Sequence, residues 1–353
     1  MRTISFSVAQ ILLLALFCVG WQQLDEQGIR SENMASFMKG RFSWTSSGPL
    51  LAPEKRADDP CFSVKDPTVV YYDNKWHVFH TTRSKIRSHQ IEYVSFDKWE
   101  NMASSKRHIL HCRDGYFCAP QVFYFRPHRK WYLVYQVVEQ DRKPGLQPAF
   151  STTENIKDPD SWTQAELFFP EGPEGVNKWI DFWIICDDER AYLYFTSLDG
   201  HFWRMSTPIE DFPRNFSNYE LALEANIFEA SHTYRLAGMD KYLSIIEAVR
   251  KKSPKGRRYY VAYLADSLDG EWRKLASSED KPFASFENVI HPEIRWTDYI
   301  SHGELIRGGC DERMLVDPGN LQLLFQGVTD GEAAGKKYGE IPWRLGLLTI
   351  SKE

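Results

Sequence analysis

The chain has 353 residues, enough for one large all-β domain or two smaller domains. Its formal net charge is −5 and it has no long basic run, which argues against nucleic acid as a partner. Aromatic residues make up 14% of the chain, with 12 Trp and 17 Tyr, and most are expected to pack between strands.

The first residues of the chain predict an export signal. Arg2 provides a positive start, residues 11–17 form a short apolar run, and Val19 and Gly20 are small residues near a cleavage point. The apolar run is too short to cross a membrane, so we expect a secreted protein, extracellular or periplasmic, without a membrane span. The chain then divides into a signal peptide, a polar lead-in and one large domain: residues 1–20, 21–40 and 41–353.

From about residue 42 onward one unit recurs, with an apolar strand, a polar turn and a second strand that opens on an aromatic residue in four of the units. The first aromatic residues of these second strands are Trp76, Trp131, Tyr192 and Tyr242, which are separated by 55, 61 and 50 residues. Five strand pairs are predicted: 68–72 with 76–79, 121–125 with 131–135, 182–185 with 191–195, 231–235 with 242–246, and a more divergent 313–316 with 321–325.

Units of this length with several strands each are typical of β-propeller blades. We therefore predict an all-β, five-bladed β-propeller in which the first strand of each unit lies innermost. A pair of β-sandwiches would also contain many short strands, but it would not explain the regular unit.

Three acids, Asp66, Asp181 and Glu229, are predicted to occupy matching positions in three of the units, where each precedes or opens an apolar first strand. If the first strands surround one axis, the three carboxylates meet at one end of it. Cleavage of a glycosidic bond uses two carboxyl groups, one to donate a proton and one to attack the sugar or activate water. A third acid nearby can raise the pKa of its neighbour. The alternative is that each acid caps a strand or pairs with a cation.

A polar cluster with apolar flanks occupies residues 300–307. His302 within it is a metal ligand, a hydrogen-bond donor or a buried core histidine, and its spacing favours the last. Arg307 is expected to hold a carboxylate in its ionised state.

Removal of the signal peptide would leave five cysteines, an odd number that requires at least one free thiol. Cys112 and Cys118 flank a short Gly-containing segment and are predicted as a local pair, and Cys61 with Cys310 is a weaker alternative. No Cys-x-x-Cys motif occurs, so a zinc cluster is not expected.

With these motifs the chain resembles glycoside hydrolase family 62, the secreted α-L-arabinofuranosidases. The similar segments follow one order over about residues 41–352: 44–50, 65–66, 119–125, 180–181, 228–229, 300–307, 317–322 and 342–349. The resemblance implies a five-bladed propeller and an inverting hydrolase. Its substrate would be plant cell-wall arabinoxylan, or a related polysaccharide with terminal arabinofuranosyl side chains.

The resemblance also implies roles for the three acids. Asp66 would be the general base that activates water, and Glu229 would be the general acid. Asp181 would tune the pKa of the acid and orient the sugar.

Further residues are implied as substrate contacts. Lys65 and Ile180 would line the arabinose pocket, Gln121 and Arg307 would bind substrate, and Tyr338 would lie in the cleft that holds the xylan backbone.

The resemblance implies a calcium ion as well, with His302 as its protein ligand and mostly water as its other ligands. We expect the protein to be a monomer.

The chain departs from the family pattern at three positions. Val137 stands where members commonly have Trp, Gly339 where they often have Asn, and Gly319 where many have a disulfide-bonded Cys. The surface that recognises the polymer backbone is therefore altered, and the bond type is better determined than the polymer.

Two alternatives remain at this point. One is a related propeller glycosidase with β-xylosidase or arabinanase activity, because pocket shape decides between these substrates. The other is a non-catalytic carbohydrate-binding propeller, but three clustered acids would then cost stability without a benefit.

Overall fold

The structure is a computed structural model and describes residues 28–171 and 175–351. The predicted signal peptide, residues 1–20, and the first part of the predicted lead-in lie outside the described residues.

Five sheets surround one axis, which confirms the predicted five-bladed propeller. From the innermost strand outward, blade 1 consists of Cys61–Tyr72, Lys75–Ser84, Ser88–Phe96 and Arg107–Ile109; blade 2 of Phe117–Phe125, Lys130–Val138, Leu146–Thr153 and Glu166–Leu167; and blade 3 of Ile180–Cys186, Arg190–Thr196, His201–Pro208 and Ser217–Glu224. Blade 4 consists of Glu229–Leu236, Tyr242–Val249, Arg258–Ala265, Arg273–Ser278 and Lys281–Pro282, and blade 5 of Ser301–Leu305, Gln322–Gly327, Arg344–Ile350, Trp44–Ser46 and Val289–Ile290.

Helices are short and lie outside the sheets. The α-helices are residues 28–38 and Asp330–Ala333, and the 3-10 turns are Trp99–Ser104, Arg126–His128, Ile209–Asp211 and Tyr338–Glu340. Within the described ranges, no helix has the length and apolar character needed to cross a bilayer.

The predicted hairpins of the first four blades are confirmed. In blade 1 the two inner strands are joined by Asp73 and Asn74, whose φ angles are 50° and 60°. Two successive residues with positive φ form the type I′ turn, whose twist matches that of the strands it joins.

The fifth predicted unit is wrong in its first half. Residues 313–316 do not begin a blade, because Leu315 and Val316 pair in parallel with the end of the innermost strand of blade 4. The segment 310–316 also accepts, through the carbonyls of Cys310 and Glu312, the N–H groups of Tyr124 and Cys186 at the ends of the innermost strands of blades 2 and 3. It therefore closes the axis at the end opposite the predicted acids.

The innermost strand of blade 5 is instead Ser301–Leu305. This strand has only five residues and includes His302, Gly303 and Glu304, so its apolar pattern is too weak to recognise from the sequence. Buried tyrosines of blade 4 fix it in place: Tyr260 Oη accepts the N–H of Gly303 at 2.7 Å, and Tyr234 Oη accepts that of Leu305 at 2.9 Å.

Blade 5 joins the two ends of the domain. The strand Trp44–Ser46 pairs antiparallel with the last strand, with Trp44 opposite Ile350. The Trp44 side chain is fully buried, and its Nε1–H donates to the carbonyl of Phe283 at 2.7 Å. The ring of blades is therefore closed by main-chain hydrogen bonds between the beginning and the end of the domain.

Candidate active site

Each innermost strand contains one extra residue near its beginning, and the catalytic candidates lie at these bulges. The extra residues are Asp66, Ala119, Asp181, Ala230 and His302. In the first four the backbone has a positive φ, between 49° and 56°. A β-bulge turns a side chain away from the regular alternation of the strand, so these bulges direct side chains towards the axis.

The register corrects one prediction about the three acids. Asp66 and Asp181 occupy the bulge itself, whereas Glu229 is the paired residue that precedes it, opposite Glu247. The residue of blade 4 that corresponds to Asp66 and Asp181 is Ala230. The acids therefore share one end of the axis but not one position in the repeat.

A side chain of the preceding blade caps the backbone N–H of each bulge. The N–H groups of the five bulge residues donate to side chains as follows: Ala119 to Thr81 at 2.9 Å, Asp181 to Gln136 at 3.2 Å, Ala230 to Asp181 at 2.9 Å, His302 to Glu247 at 2.8 Å, and Asp66 to Gln326 at 2.8 Å. These bonds satisfy buried groups that would otherwise cost about 1–3 kcal/mol each. We call this set the capping ring.

Blade 3 is the exception in the capping ring. Its second-strand residue at the corresponding position is Thr196, whose buried hydroxyl has no partner among the described residues. Asp181 caps Ala230 in its place, through Oδ2. The carboxylate of Asp181 is therefore fixed beside Glu229, the residue before Ala230.

Two basic side chains, Lys65 and His302, lie beside the carboxylate of Asp66. Asp66 is 3% exposed, with Lys65 Nζ 3.2 Å from Oδ2 and His302 Nδ1 3.3 Å from Oδ1. Burial alone would raise the pKa of Asp66, but Lys65 and His302 outweigh burial, and the pKa falls below its ordinary value. Asp66 is therefore ionised near neutral pH, as a general base must be.

Glu229 has the opposite electrostatic environment. It is 8% exposed, and burial raises its pKa to about 7 even though the adjacent Arg258 lowers it. The carboxylates of Glu247 and Asp181 contribute to this increase. Glu229 therefore keeps a proton up to near-neutral pH, as a general acid must.

Asp181 lies between Asp66 and Glu229. Its Oδ2 is 3.8 Å from His302 Nδ1, the same nitrogen that faces Asp66. Burial, followed by repulsion from Asp66, raises the pKa of Asp181 to about 7. Asp66 thus influences the pKa of Asp181, and Asp181 in turn influences the pKa of Glu229.

Sequence reasoning missed Arg258 and Glu247. Arg258 Nη1 pairs with Oε1 of both Glu229 and Glu247, so its charge is shared between two carboxylates. Glu247 Oε2 also accepts the Ser301 hydroxyl at 2.6 Å. The repeat in the sequence could have identified Glu247. It is the fifth residue after the aromatic start of its strand, as Thr81 and Gln136 are in blades 1 and 2.

Three predicted substrate contacts lie at this end of the axis. Tyr338 is 41% exposed, and its ring centroid is 5.3 Å from Lys65 Nζ and 5.0 Å from the Arg258 guanidinium carbon. Ile180 is half-buried and directly precedes Asp181. An exposed ring beside the acids offers a flat surface on which a sugar can stack.

The contacts of Gln121 and Arg307 do not support the prediction that they bind substrate. Gln121 exchanges two hydrogen bonds of 2.7 Å with the backbone of Ile184 and so joins blades 2 and 3. Arg307 donates to the carbonyls of Val69 and Val122, at 2.9 and 2.8 Å. Both side chains are buried and hold inner strands together.

Arg307 lies beside a carboxylate that belongs to the fold. Its Nε lies 2.7 Å from Oε1 of Glu304, and both side chains are buried. This pair lies within the fold rather than beside Asp66 or Glu229.

The predicted disulfides are wrong, because five cysteines of the described residues are free thiols: Cys61, Cys112, Cys118, Cys186 and Cys310. Cys112 packs in the apolar core formed by blades 1 and 2, whereas Cys118 accepts a hydrogen bond from Gln136 Nε2 at 3.4 Å. Cys118 is paired with Gln136 just before the bulge of blade 2, so it belongs to the same end of the axis as the acids.

The described residues contain no group of three His, Cys, Asp or Glu side chains arranged to hold a metal. Calcium takes six to eight oxygen ligands, so an ion at His302 would take most of its ligands from water.

The model of glycosyl hydrolase family 62 matches residues 43–349. α-L-Arabinofuranosidase C of Cellvibrio japonicus (strain Ueda107) is 39% identical over 324 residues, which cover 89% of this chain and 48% of that protein. The chain thus spans about half the length of this curated relative.

Two solved structures are similar to this chain over nearly their whole length. The catalytic domain of the Coprinopsis cinerea GH62 α-L-arabinofuranosidase is 37% identical, with a TM-score of 0.80, and the match covers 88% of this chain and 98% of that one. The α-L-arabinofuranosidase PaAbf62A from Podospora anserina, solved with cellotriose, is 34% identical, with a TM-score of 0.80 and coverages of 90% and 99%. The chain belongs to glycosyl hydrolase family 62.

Proposed function

We propose that the chain is an inverting α-L-arabinofuranosidase that removes terminal arabinofuranosyl side chains from arabinoxylan or a related polysaccharide. One observation carries the proposal: two buried carboxyl groups at one end of the axis have pKa values shifted in opposite directions. Such a separation is how one pocket provides a base and an acid at the same pH. The names of the similar proteins support the choice of arabinose.

In the proposed reaction, Asp66 accepts a proton from a water molecule, which attacks the anomeric carbon of the arabinose. Glu229 donates its proton to the glycosidic oxygen as the bond to the polymer breaks. The products are free arabinose of inverted configuration and the debranched polymer. Lys65 keeps Asp66 ionised, whereas burial, together with the neighbouring Glu247 and Asp181, keeps Glu229 protonated.

The proposal is tested by the release of arabinose from wheat arabinoxylan and from 4-nitrophenyl α-L-arabinofuranoside. Wild type is expected to release arabinose from both, and Glu229→Gln and Asp66→Asn to lose about 100- to 10,000-fold in kcat, because each removes one proton-transfer group. Linear arabinan and 4-nitrophenyl β-xyloside, assayed in parallel, distinguish arabinanase and β-xylosidase activities.

Binding of polysaccharide without release of any sugar would overturn the enzyme assignment in favour of a carbohydrate-binding propeller. Variants as active as wild type would overturn the roles of Asp66 and Glu229 while leaving the activity in place.

Two further parts of the proposal concern calcium and export. We place calcium at His302, so purified wild type should contain the metal and His302→Ala should not; equal metal content in both would remove this assignment. We place cleavage near residue 20, so N-terminal sequencing of protein from the medium or periplasm should begin there. An uncleaved protein found inside the cell would contradict export.

A further inference from the structure

The glycine at position 339 makes room for an arginine at the rim of the catalytic pocket. The guanidinium of Arg83 donates to the carbonyl of Gly339, which directly follows Tyr338. A Cβ on residue 339 would lie 2.6 Å from the Arg83 Cζ, so a side chain at 339 and the present position of Arg83 exclude each other.

Arg83 lies close to the catalytic base. Thr81 pairs across the sheet with Lys65, and Arg83 is two residues further along the same strand. Residues i and i+2 of a strand face the same side and lie about 7 Å apart. The guanidinium therefore extends from the pocket of Asp66 to the turn that bears Tyr338.

Arg83 differs from the other cations of the pocket because no carboxylate of the described residues neutralises it. Lys65 is paired with Asp66, and Arg258 with Glu229 and Glu247. Arg83 forms its hydrogen bond with a carbonyl, and its buried Nε has no partner among the described residues. A half-buried arginine thus retains its charge and unused donors beside the cleft.

The two segments that meet at the contact between Arg83 and Gly339 are rich in cations. They are the hairpin 83–89 and the loop 335–340, and their basic residues are Arg83, Lys85, Arg87, Lys336 and Lys337. The acids beside them are Asp59, which pairs with Arg87 at 3.5 Å, and the exposed Glu340. We call these two segments the basic rim. The chain as a whole has a net charge of −5, so the basic rim is not a general property of the surface.

We propose that the basic rim binds a carboxylate of the polysaccharide, so that the preferred substrate carries uronic acid residues near the arabinose that is removed. This inference rests on the proposed arabinofuranosidase activity. Guanidinium groups bind carboxylates through paired, charge-assisted hydrogen bonds, which the hydroxyl groups of a neutral xylan cannot replace.

A purely structural role is the alternative for Arg83, since its bond to Gly339 also holds the turn of Tyr338. If Arg83 has only this structural role, its loss should change kcat/KM equally for all substrates, because it would act through the position of Tyr338. A carboxylate-binding group would affect only the acidic substrate. The ratio of the two activities therefore separates the roles.

The test compares kcat/KM for arabinose release from a glucuronic-acid-bearing arabinoxylan and from the same polymer after reduction of its carboxyl groups. Wild type is expected to prefer the acidic polymer by about fivefold at low ionic strength, the effect of one partly exposed ion pair, and to lose the preference in high salt. In Arg83→Gln the preference should disappear, and in Arg83→Lys it should be partly retained. Lys75→Gln, which removes an exposed cation at the opposite end of blade 1, is the matched control and should keep the preference.

Equal kcat/KM of wild type for both polymers would overturn the inference while leaving the arabinofuranosidase activity intact. An equal fall in kcat/KM for both polymers in Arg83→Gln would assign Arg83 a purely structural role and would also overturn the inference. Release of no arabinose from either polymer or from 4-nitrophenyl arabinofuranoside would instead be a failure of the proposed function.

Discussion

At the scale of single residues, the pocket separates two carboxyl groups by their surroundings rather than by their type. Asp66 faces Lys65 and His302, whereas Glu229 shares Arg258 with Glu247 and lies beside Asp181. Burial makes each of these interactions stronger than it would be in water. The pKa of Asp66 is therefore lowered and that of Glu229 is raised to about 7.

This arrangement predicts the pH dependence of the activity. Activity should fall as pH rises through about 7, where Glu229 loses its proton. It should fall on the acid side only below the ordinary range of aspartate, where Asp66 becomes protonated. A pH profile of kcat/KM on 4-nitrophenyl arabinofuranoside measures both limits.

The variant Asp181→Asn tests the role of Asp181 directly. Loss of its repulsion should lower the pKa of Glu229, so the alkaline limit should move to lower pH by on the order of one unit. The amide keeps an oxygen that can accept the N–H of Ala230, so the bulge should persist. An alkaline limit that stays in place or moves upward would contradict the role of Asp181, and the exposed Asp114→Asn serves as the control for the loss of one charge.

At the scale of strands, the five bulges and the capping ring position the site. Residues with positive φ cost about 1–2 kcal/mol each when they are not glycine, and four bulges carry such a residue. The caps from neighbouring blades offset this cost by satisfying the buried N–H groups. The site is therefore stabilised by contacts between blades and not within one strand.

Gln121 tests the importance of hydrogen bonds between blades. Gln121→Ala removes both hydrogen bonds to Ile184 and leaves the buried N–H and carbonyl of Ile184 without these partners. The free energy of unfolding should therefore fall by about 2–4 kcal/mol. Urea unfolding measures this loss, with the exposed Gln164→Ala as the control. If Gln121→Ala keeps its stability but raises KM several-fold, Gln121 contacts substrate after all.

The sequence revealed the first strands and their acids because a carboxylate interrupts an apolar run at Asp66 and Asp181. It did not reveal the capping ring, because a polar residue near the end of a strand, such as Gln136, looks like a surface residue. Residues 313–316 were also predicted as a strand of a new blade. An apolar pair such as Leu315 and Val316 fits a strand of any blade equally well. Long-range partners decide these cases, and one sequence does not specify them.

At the scale of the whole molecule, the domain is a closed ring whose last blade contains both its beginning and its end. The strand Trp44–Ser46 completes blade 5 against Arg344–Ile350. The segment that includes Leu315 and Val316 closes the axis at the end away from the acids. The acids lie at the other end of the axis, together with Tyr338 and the basic rim.

Closure of the ring predicts a large effect of a substitution far from the pocket. Trp44→Ala should lower the free energy of unfolding by about 3–5 kcal/mol, because it removes a fully buried indole and its bond to Phe283. The melting temperature in calorimetry should fall accordingly, and Trp99→Ala, a half-buried tryptophan of blade 1, should cost less. Equal effects of the two substitutions would contradict the role of blade 5 as the closure.

The most direct test of the central claim is the configuration of the first sugar released. Proton NMR, recorded within the first turnovers on 4-nitrophenyl α-L-arabinofuranoside, distinguishes the two anomers before they equilibrate in water. Direct attack by a water molecule that Asp66 activates predicts β-L-arabinofuranose as the first product. Initial formation of the α anomer would show retention through a covalent intermediate and would contradict the roles given to Asp66 and Glu229.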